Sequence, residues 1–382
     1  METEFNFVFG STSCKTLIQN KLPSIEELKR DFPCKISDDR QVAIVCDNNT
    51  AGLANAIAGD REISVLVLES GEKSKTWSSI EAILKAGLSA GMGRDGLFIG
   101  VGGGVIGDIT AFAASLYMRG ANLCLVSTTL LGMVDASLGG KTGIDLFGLK
   151  NFAGTFYPAG LVALPISALD TLPENEFKSG MAELIKTAVL DSDDFFELIK
   201  KLIELEKETG SRKSPAYLEC LKECISLAIA FKGKIVEEDP FETGSKRVLL
   251  NLGHSFGHAL EAAAGLGVLS HGEAVAWGIA RACELGAALG ITPKKRAAEI
   301  TGILSDYGFE TGVPHPLANS ANFTDAIMSA ILKDKKKQAK NLRFVIPIEE
   351  SAVVVSAENN RALQGKEGEE LIHKVINGEY PI

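Results

Sequence analysis

The sequence predicts an α/β N-terminal domain with a mostly parallel, Rossmann-like sheet, followed by a mostly α-helical C-terminal domain. Three observations predict it. Short β-branched runs alternate with helical patterns as far as Leu164, as in strands joined by crossover helices. A glycine-rich turn containing Gly102, Gly103, Gly104 and Gly107 directly follows one of those runs. From Pro173 the periodicity becomes helical, and β-branched runs disappear until a late pair. The boundary falls at Leu172-Pro173, giving domains 1–172 and 173–382, and a cleft between two such halves is the default place for a ligand.

Each element has its own warrant. Phe5 to Phe9 reads as a first strand, and Ser11 as a helix cap before Cys14 to Gln19. Asn20 to Arg40 is polar and proline-containing, a helix plus loop. Val42 to Cys46 (VAIVC) and Ile63 to Leu68 (ISVLVL) are buried strands by their apolar runs. They end in Asp47-Asn48-Asn49 and in Glu69 to Lys75, at strand carboxyl ends where open α/β sheets bind ligands. Trp77 to Ala90 is a helix, Leu97 to Val101 a strand, and the segment after Gly104 a helix with Ile109, Phe112 and Leu116 on its apolar face. Asn122 to Ser127 and Leu161 to Leu164 complete the strands. Helices are then expected near 174–189, 194–205, 216–236, 255–264, 273–289, 294–307 and 323–332. Residues 342–346 and 352–355 form a late strand pair, and 361–376 a closing helix.

Composition narrows the function. A formal net charge of -10 argues against a nucleic-acid surface, which favours clustered Lys and Arg. No apolar run approaches the ~20 residues of a membrane span, and METEFNFVFG lacks the basic-then-apolar pattern of a signal peptide. Seven scattered cysteines argue against a disulfide framework, Cys220 and Cys224 being read as structural, and the expected compartment is the cytoplasm.

Several residue groups could carry chemistry. Gly102, Gly104 and Gly107 fit G-x-G-x-x-G, so the turn is expected to hold phosphates on backbone N–H groups. No acid ends the strand Asn122 to Ser127, so a ribose must be held elsewhere. His254 and His258 are four residues apart on one helical face, a common metal or substrate pair, and the flanking Gly253 and Gly257 imply close backbone approach. His271 lies nearby in sequence. Glu183 and Lys186 share a face among apolar neighbours, and a divalent site wants such a carboxylate. Asp135, Lys141, Lys150 and Asn151 occupy a glycine-broken loop whose cations suit an anionic substrate. Arg119 follows a helix and is placed to face a partner subunit. Lys232, Arg247 and the Lys335–Lys337 run complete the basic inventory.

The motifs GGGVIGD at Gly102, YMRG at Tyr117, STTLLGMVDASLGGKTGID at Ser127, LKN at Leu149, MAELIK at Met181, NLGHSFGHALE at Asn251 and HGEAVAWG at His271, taken in order, resemble the 3-dehydroquinate synthase family over roughly Asp47 to Lys337. The resemblance implies a homodimer with an NAD-binding α/β domain and a helical metal-binding domain. It implies conversion of 3-deoxy-D-arabino-heptulosonate 7-phosphate to 3-dehydroquinate and phosphate, the second step towards chorismate. A ring carbon is transiently oxidised by NAD+, phosphate is eliminated, the hydride returns, and the ring opens and closes on carbon. Glu183, His254 and His271 correspond to the ligands of one divalent metal, Zn2+ or Co2+, and His258 becomes a substrate contact. Asp47, Asn49, Glu72, Lys75, Gly103, Gly104, Asp108, Thr128, Thr129 and Thr171 correspond to NAD contacts. Asp135, Lys141, Lys186, Lys232, Arg247 and Asn251, with Lys150, Asn151 and Lys335, correspond to residues that bind or act on the sugar phosphate, and Arg119 to one reaching the partner's site. Leu149 stands where the family usually has glycine, and the loop from Asp239 to Lys246 lacks the family's common arginine. The alternatives are the valiolone and 2-deoxy-scyllo-inosose synthases, which act on sugar phosphates without a carboxylate, and the metal-dependent alcohol or glycerol dehydrogenases. Lys232, Arg247 and Asn251 favour the carboxylate-bearing substrate, and the Lys141–Asn151 loop argues against a neutral alcohol.

Overall fold

A computed structural model describes the chain except residues 1, 37, 245, 266, 314, 316–321, 338–342 and 381, and the side chains of 334–337. It separates into two compact units. One comprises Met1–Phe177 with Ile225–Thr243, the other Lys178–Cys224 with Gly244–Ile382. A single cut at Leu172-Pro173 leaves Ile225–Thr243 with the helical half; in the structure those residues belong to the first unit.

The first unit is built on seven strands: β1 (Thr3–Phe9), β2 (Thr12–Gln19), β3 (Val42–Asp47), β4 (Ser64–Leu68), β5 (Leu97–Gly102), β6 (Asn122–Ser127) and, after a separate hairpin, β9 (Leu161–Pro165). Their order is β1-β2-β9-β6-β5-β3-β4. Every neighbouring pair is parallel except β1 with β2. The runs VAIVC and LFIGV are wholly buried, as strands covered on both faces require.

One expectation fails here. Cys14 to Gln19 is not a helix but most of β2, which pairs with both β1 and β9. Ser11 is not a cap: Phe9 faces Thr12 across a two-residue Gly10-Ser11 turn, and Gly10 has φ +63°. A positive-φ glycine at such a turn suits the twist of a tight hairpin. The separate hairpin, β7 (Ile144–Leu146) and β8 (Leu149–Ala153), turns through Phe147 and Gly148, both at positive φ. Leu149 pairs with Leu146 beside that turn.

The first unit also takes the second half of the helix Pro215–Glu238. Gly233 lets this helix lie on the Phe7 ring, since a Cβ there would come within 2.2 Å of it. Glu237 accepts the Val8 amide at 2.7 Å.

The second unit is helical. Its main helices are Glu174–Asp191 from Lys178 onward, Asp193–Thr209, His254–Ala264, His271–Ala288, Lys294–Asp306, Phe323–Lys337 and Gly365–Ile376. An antiparallel pair, β10 (Arg343–Pro347) and β11 (Ala352–Ser356), packs with them. Gly253 and Gly257 are approached closely, as their spacing predicts, and the partner is the helix His271–Ala288. A Cβ on its Gly278 would lie 2.0 Å from the Gly253 carbonyl oxygen. A Cβ on Gly272 would lie 2.3 Å from Ser179 Cα in the helix that carries Glu183. Two glycines thus bring three helices to near backbone contact. No helix is long and apolar enough to cross a membrane among the described residues.

Candidate active site

In the first unit, the chain leaves β5 at Gly102, turns at Gly103 and enters the helix Gly104–Leu116. A side chain on Gly103 would collide with Thr129, whose Cγ2 lies 2.8 Å from the Cβ position. No side chain caps this helix start, and a cavity lined by Gly102, Gly103, Gly104, Ser127 and Ser137 opens beside it. Free N–H groups at a helix N-terminus favour an anion. Thr128 donates its amide to the Gly102 carbonyl at 3.0 Å, and Thr129 Oγ1 accepts the Gly132 amide at 3.0 Å. Thr128 is thereby fixed against the turn, and Thr129 against the start of Gly132–Ala136.

The other sequence-predicted cofactor residues belong to the same unit. Asp47 ends β3, and its Oδ1 accepts from the Asn49 amide, the Thr50 amide and Thr50 Oγ1. Asn49 and Glu72 are exposed. Lys75 is buried; its Nζ donates to Asp108 Oδ2 at 2.8 Å and to the Asn151 side-chain oxygen. Burial pushes the Asp108 carboxyl up to about 6, against the pull of Lys75. Asp145, which the sequence reading did not single out, completes this network. Its amide donates to the Lys75 carbonyl, and its Oδ1 accepts the Asn151 amide, both at 2.8 Å. Thr171 is exposed at the end of the turn Ile166–Thr171.

The anion-loop residues of this unit are tied down too. Lys232 is buried and donates to the carbonyl and Oδ1 of Asp135, at 2.5 and 2.6 Å. Asp135 lies in a wide π-helical turn, Gly132–Ala136. Lys141 pairs with Glu242 at 2.5 Å, a residue the sequence analysis missed in the unusual 239–246 loop. Lys150 is exposed on β8. Arg119 is exposed at φ +68°, with no ion pair among the described residues.

In the second unit, Glu183 is buried on the helix Glu174–Asp191 and faces two imidazoles. His254 Nε2 lies 3.7 Å and His271 Nε2 3.5 Å from Glu183 Oε1. Each histidine begins a helix. His271 is set by a capping box in which Ser270 and Glu273 exchange bonds, so the acid of HGEAVAWG is structural. His254 Nδ1 lies 3.2 Å from the Leu252 carbonyl. A carbonyl only accepts, so Nδ1 carries the proton and Nε2 presents its lone pair. Lys186, also buried, pairs with Glu183.

Electrostatics follow from this crowding. Burial raises the Glu183 carboxyl, but Lys186, His271 and His254 outweigh it and hold the group well below the usual carboxylate range. Burial and the nearby Lys186 push His254 down to about 3, so it is neutral. Burial opposes charge on His271 as well, but Glu183 and Glu261 hold it up at about 9. Neither oxygen of Glu183 has a well-aligned hydrogen-bond partner among the described residues. A buried carboxylate so placed, with two imidazole nitrogens facing it, fits a divalent ion such as Zn2+ or Co2+ with positions left open. His258 is exposed, its ring 5.2 Å from that of His254. The i, i+4 histidine pair therefore shares a face, while Glu183 groups with His254 and His271. Arg247 is buried and Asn251 half-buried in the turn Arg247–Asn251. Lys335 lies in the helix Phe323–Lys337, and its side chain is outside the described residues.

Comparison with known proteins adds to this geometry. A family model described as 3-dehydroquinate synthase N-terminal matches residues 65–179, and one described as 3-dehydroquinate synthase C-terminal matches residues 180–337. The 3-dehydroquinate synthase of Rhodopirellula baltica is 36% identical over 331 residues, covering 83% of each chain. That of Acidithiobacillus ferrooxidans is 38% identical over 312 residues, covering 80% of this chain and 82% of its own. Among solved structures, a 2-deoxy-scyllo-inosose synthase complexed with carbaglucose-6-phosphate, NAD+ and Co2+ superposes with a TM-score of 0.76. It is 22% identical and covers 98% of this chain and 99% of its own, a likeness of fold alone.

Proposed function

Because the chain belongs to the 3-dehydroquinate synthase family, we propose that it converts 3-deoxy-D-arabino-heptulosonate 7-phosphate to 3-dehydroquinate and phosphate, the second step of chorismate biosynthesis. The observation that carries the reading is the buried Glu183 carboxylate facing His254 and His271, with Lys186 against it. Bound NAD+ would supply a transient hydride acceptor, and a divalent ion held by Glu183, His254 and His271 would supply Lewis-acid stabilisation of an alkoxide.

The chain's own residues then have definite tasks. Gly103 and Gly104 offer backbone N–H groups to a pyrophosphate, beside Thr128 and Thr129. Asp47, Asn49 and Glu72 stand at two strand ends, where acids and amides suit ribose hydroxyls, and Lys75, Asp108 and Thr171 complete the NAD contacts. Lys186 and Arg247 are buried cations suited to an anionic sugar acid, and Asn251 sits on the same turn as Arg247. Lys232 fixes Asp135, and Lys141, Lys150, Asn151 and Lys335 are read as contacts to the sugar phosphate. His258, exposed on its helix, is read as the contact for a hydroxyl of the substrate. Arg119, exposed and without an ion pair among the described residues, supports a homodimer in which it reaches the partner's site. Seven free thiols suit the reducing cytoplasm.

The test follows phosphate release from 3-deoxy-D-arabino-heptulosonate 7-phosphate with catalytic NAD+ and added Zn2+ or Co2+, while NADH absorbance is recorded. Expected are stoichiometric phosphate, no accumulated NADH, and loss of activity with a chelator. Release from sedoheptulose 7-phosphate or glucose 6-phosphate instead would assign the chain to the carboxylate-free cyclases. NADH accumulating with glycerol would make it a dehydrogenase.

A further inference from the structure

Both histidines of the Glu183 cluster turn Nε2 towards the carboxylate, and to give those nitrogens to a metal both must keep a proton on Nδ1 alone. The two solve this differently. His254 has the backbone carbonyl of Leu252 opposite Nδ1. His271 has a side chain: Glu261 Oε1 lies 3.9 Å from its Nδ1, in ion-pair range. Glu261 belongs to the helix His254–Ala264 and is largely buried. It lies three residues after His258, on the same face of that helix. Ligand atoms of His258, Glu261 and His271 all fall within 4.8 Å of one another.

Charge points the same way. Glu183 is the one carboxylate of its cluster, and its negative charge is already shared with Lys186. A divalent ion there would sit beside a buried ammonium with little compensation. A second carboxylate behind His271 restores that balance through the imidazole, because an acceptor on Nδ1–H makes Nε2 a stronger donor.

We infer that Glu261 is a positioning residue of the metal centre, holding the tautomer and donor strength of His271 from behind while facing His258 on its other side. The inference rests on reading Glu183, His254 and His271 as metal ligands. A carboxylate shared between a ligand imidazole and a substrate-side imidazole ties metal affinity to the placement of His258.

The test uses the full chain loaded with Co2+, whose visible absorption reports ligand geometry, and metal affinity measured by competition with a chelator. Glu261→Gln keeps the shape and removes the charge; Glu261→Ala removes both. Expected is a loss of Co2+ affinity of about 10- to 100-fold, larger for Ala than for Gln, with a shifted visible band and partial recovery in Glu261→Asp. If Glu261→Ala does not fold, the Gln and Asp variants alone decide. Affinity and band both unchanged in the folded variants would overturn the inference, whatever happens to melting temperature. If the unsubstituted protein bound Co2+ no better than His254→Ala, the ligand assignment itself would fall, and this inference with it.

Discussion

At the scale of single residues, Asp108 shows what burial costs. Its carboxyl is pushed up to about 6, although Lys75 donates to it at 2.8 Å. A carboxyl whose folded pKa lies above its unfolded value contributes its full stability below about pH 4, and loses it as pH rises through about 6. Asn at this position cannot ionise. The stability of Asp108→Asn relative to the unsubstituted protein is therefore expected to improve by about 2 kcal/mol between about pH 4 and pH 7. Urea midpoints of the cofactor-free proteins across that window measure it. A difference independent of pH would mean that Asp108 is no harder to ionise in the fold than in the unfolded chain. The residue scale is also where the sequence was least legible. Glu261 stands in plain view within NLGHSFGHALE, yet an acid in a helix reads as solvated until the structure puts it behind His271. Glu242 is hidden in the same way, its pairing with Lys141 bridging about a hundred positions of sequence.

At the scale of elements, the close approach of helices at Gly278 sets the geometry of the metal cluster. A Cβ there would lie 2.0 Å from the Gly253 carbonyl oxygen and 2.8 Å from the Gly257 amide nitrogen, so any side chain drives the helix His271–Ala288 from the helix His254–Ala264. Gly278→Val is expected to cost about 3 kcal/mol and to weaken Co2+ binding, although residue 278 is no ligand. Chemical denaturation and chelator competition on the same sample would show the two losses together. Unaltered metal affinity in a destabilised variant would separate packing from ligand placement. Elements were legible where burial is continuous. The runs in β3, β5, β6 and β9 are apolar because crossover helices cover the sheet, and they were found on that ground; ISVLVL, expected to be buried, is instead the edge strand β4, only half-buried and with Val67 exposed. β2 was misread because Lys15 and Gln19 interrupt its apolar run and Ser11 resembles a cap, while the Gly10-Ser11 turn was the signal to weigh. β7 and β8 are short, and their sequence is that of a polar loop.

At the scale of the molecule, no covalent cross-link contributes. All seven cysteines are free, six of them buried. A thermal melt is therefore expected to be the same with and without a reductant, and a drop in melting temperature on adding dithiothreitol would reveal a disulfide between chains at the exposed Cys34. The family resemblance supplied most of the site assignments, because long motifs in order constrain more than any periodicity does. Physical reading alone reached the phosphate turn and the histidine pair, and stopped short of joining Glu183 to His271.

The helix Pro215–Glu238 begins with the second unit and ends with the first. In the order of synthesis, this means that the first unit cannot be finished when its first segment, Met1–Phe177, has left the ribosome. The Phe7 ring waits for Gly233, the Val8 amide for Glu237, and Asp135 for Lys232. Some fifty residues of the other unit must emerge first, so the nascent sheet carries an uncovered aromatic edge during much of translation. A chain truncated at Phe177 would lack Gly233, Glu237 and Lys232 altogether, leaving Asp135 without its clamp.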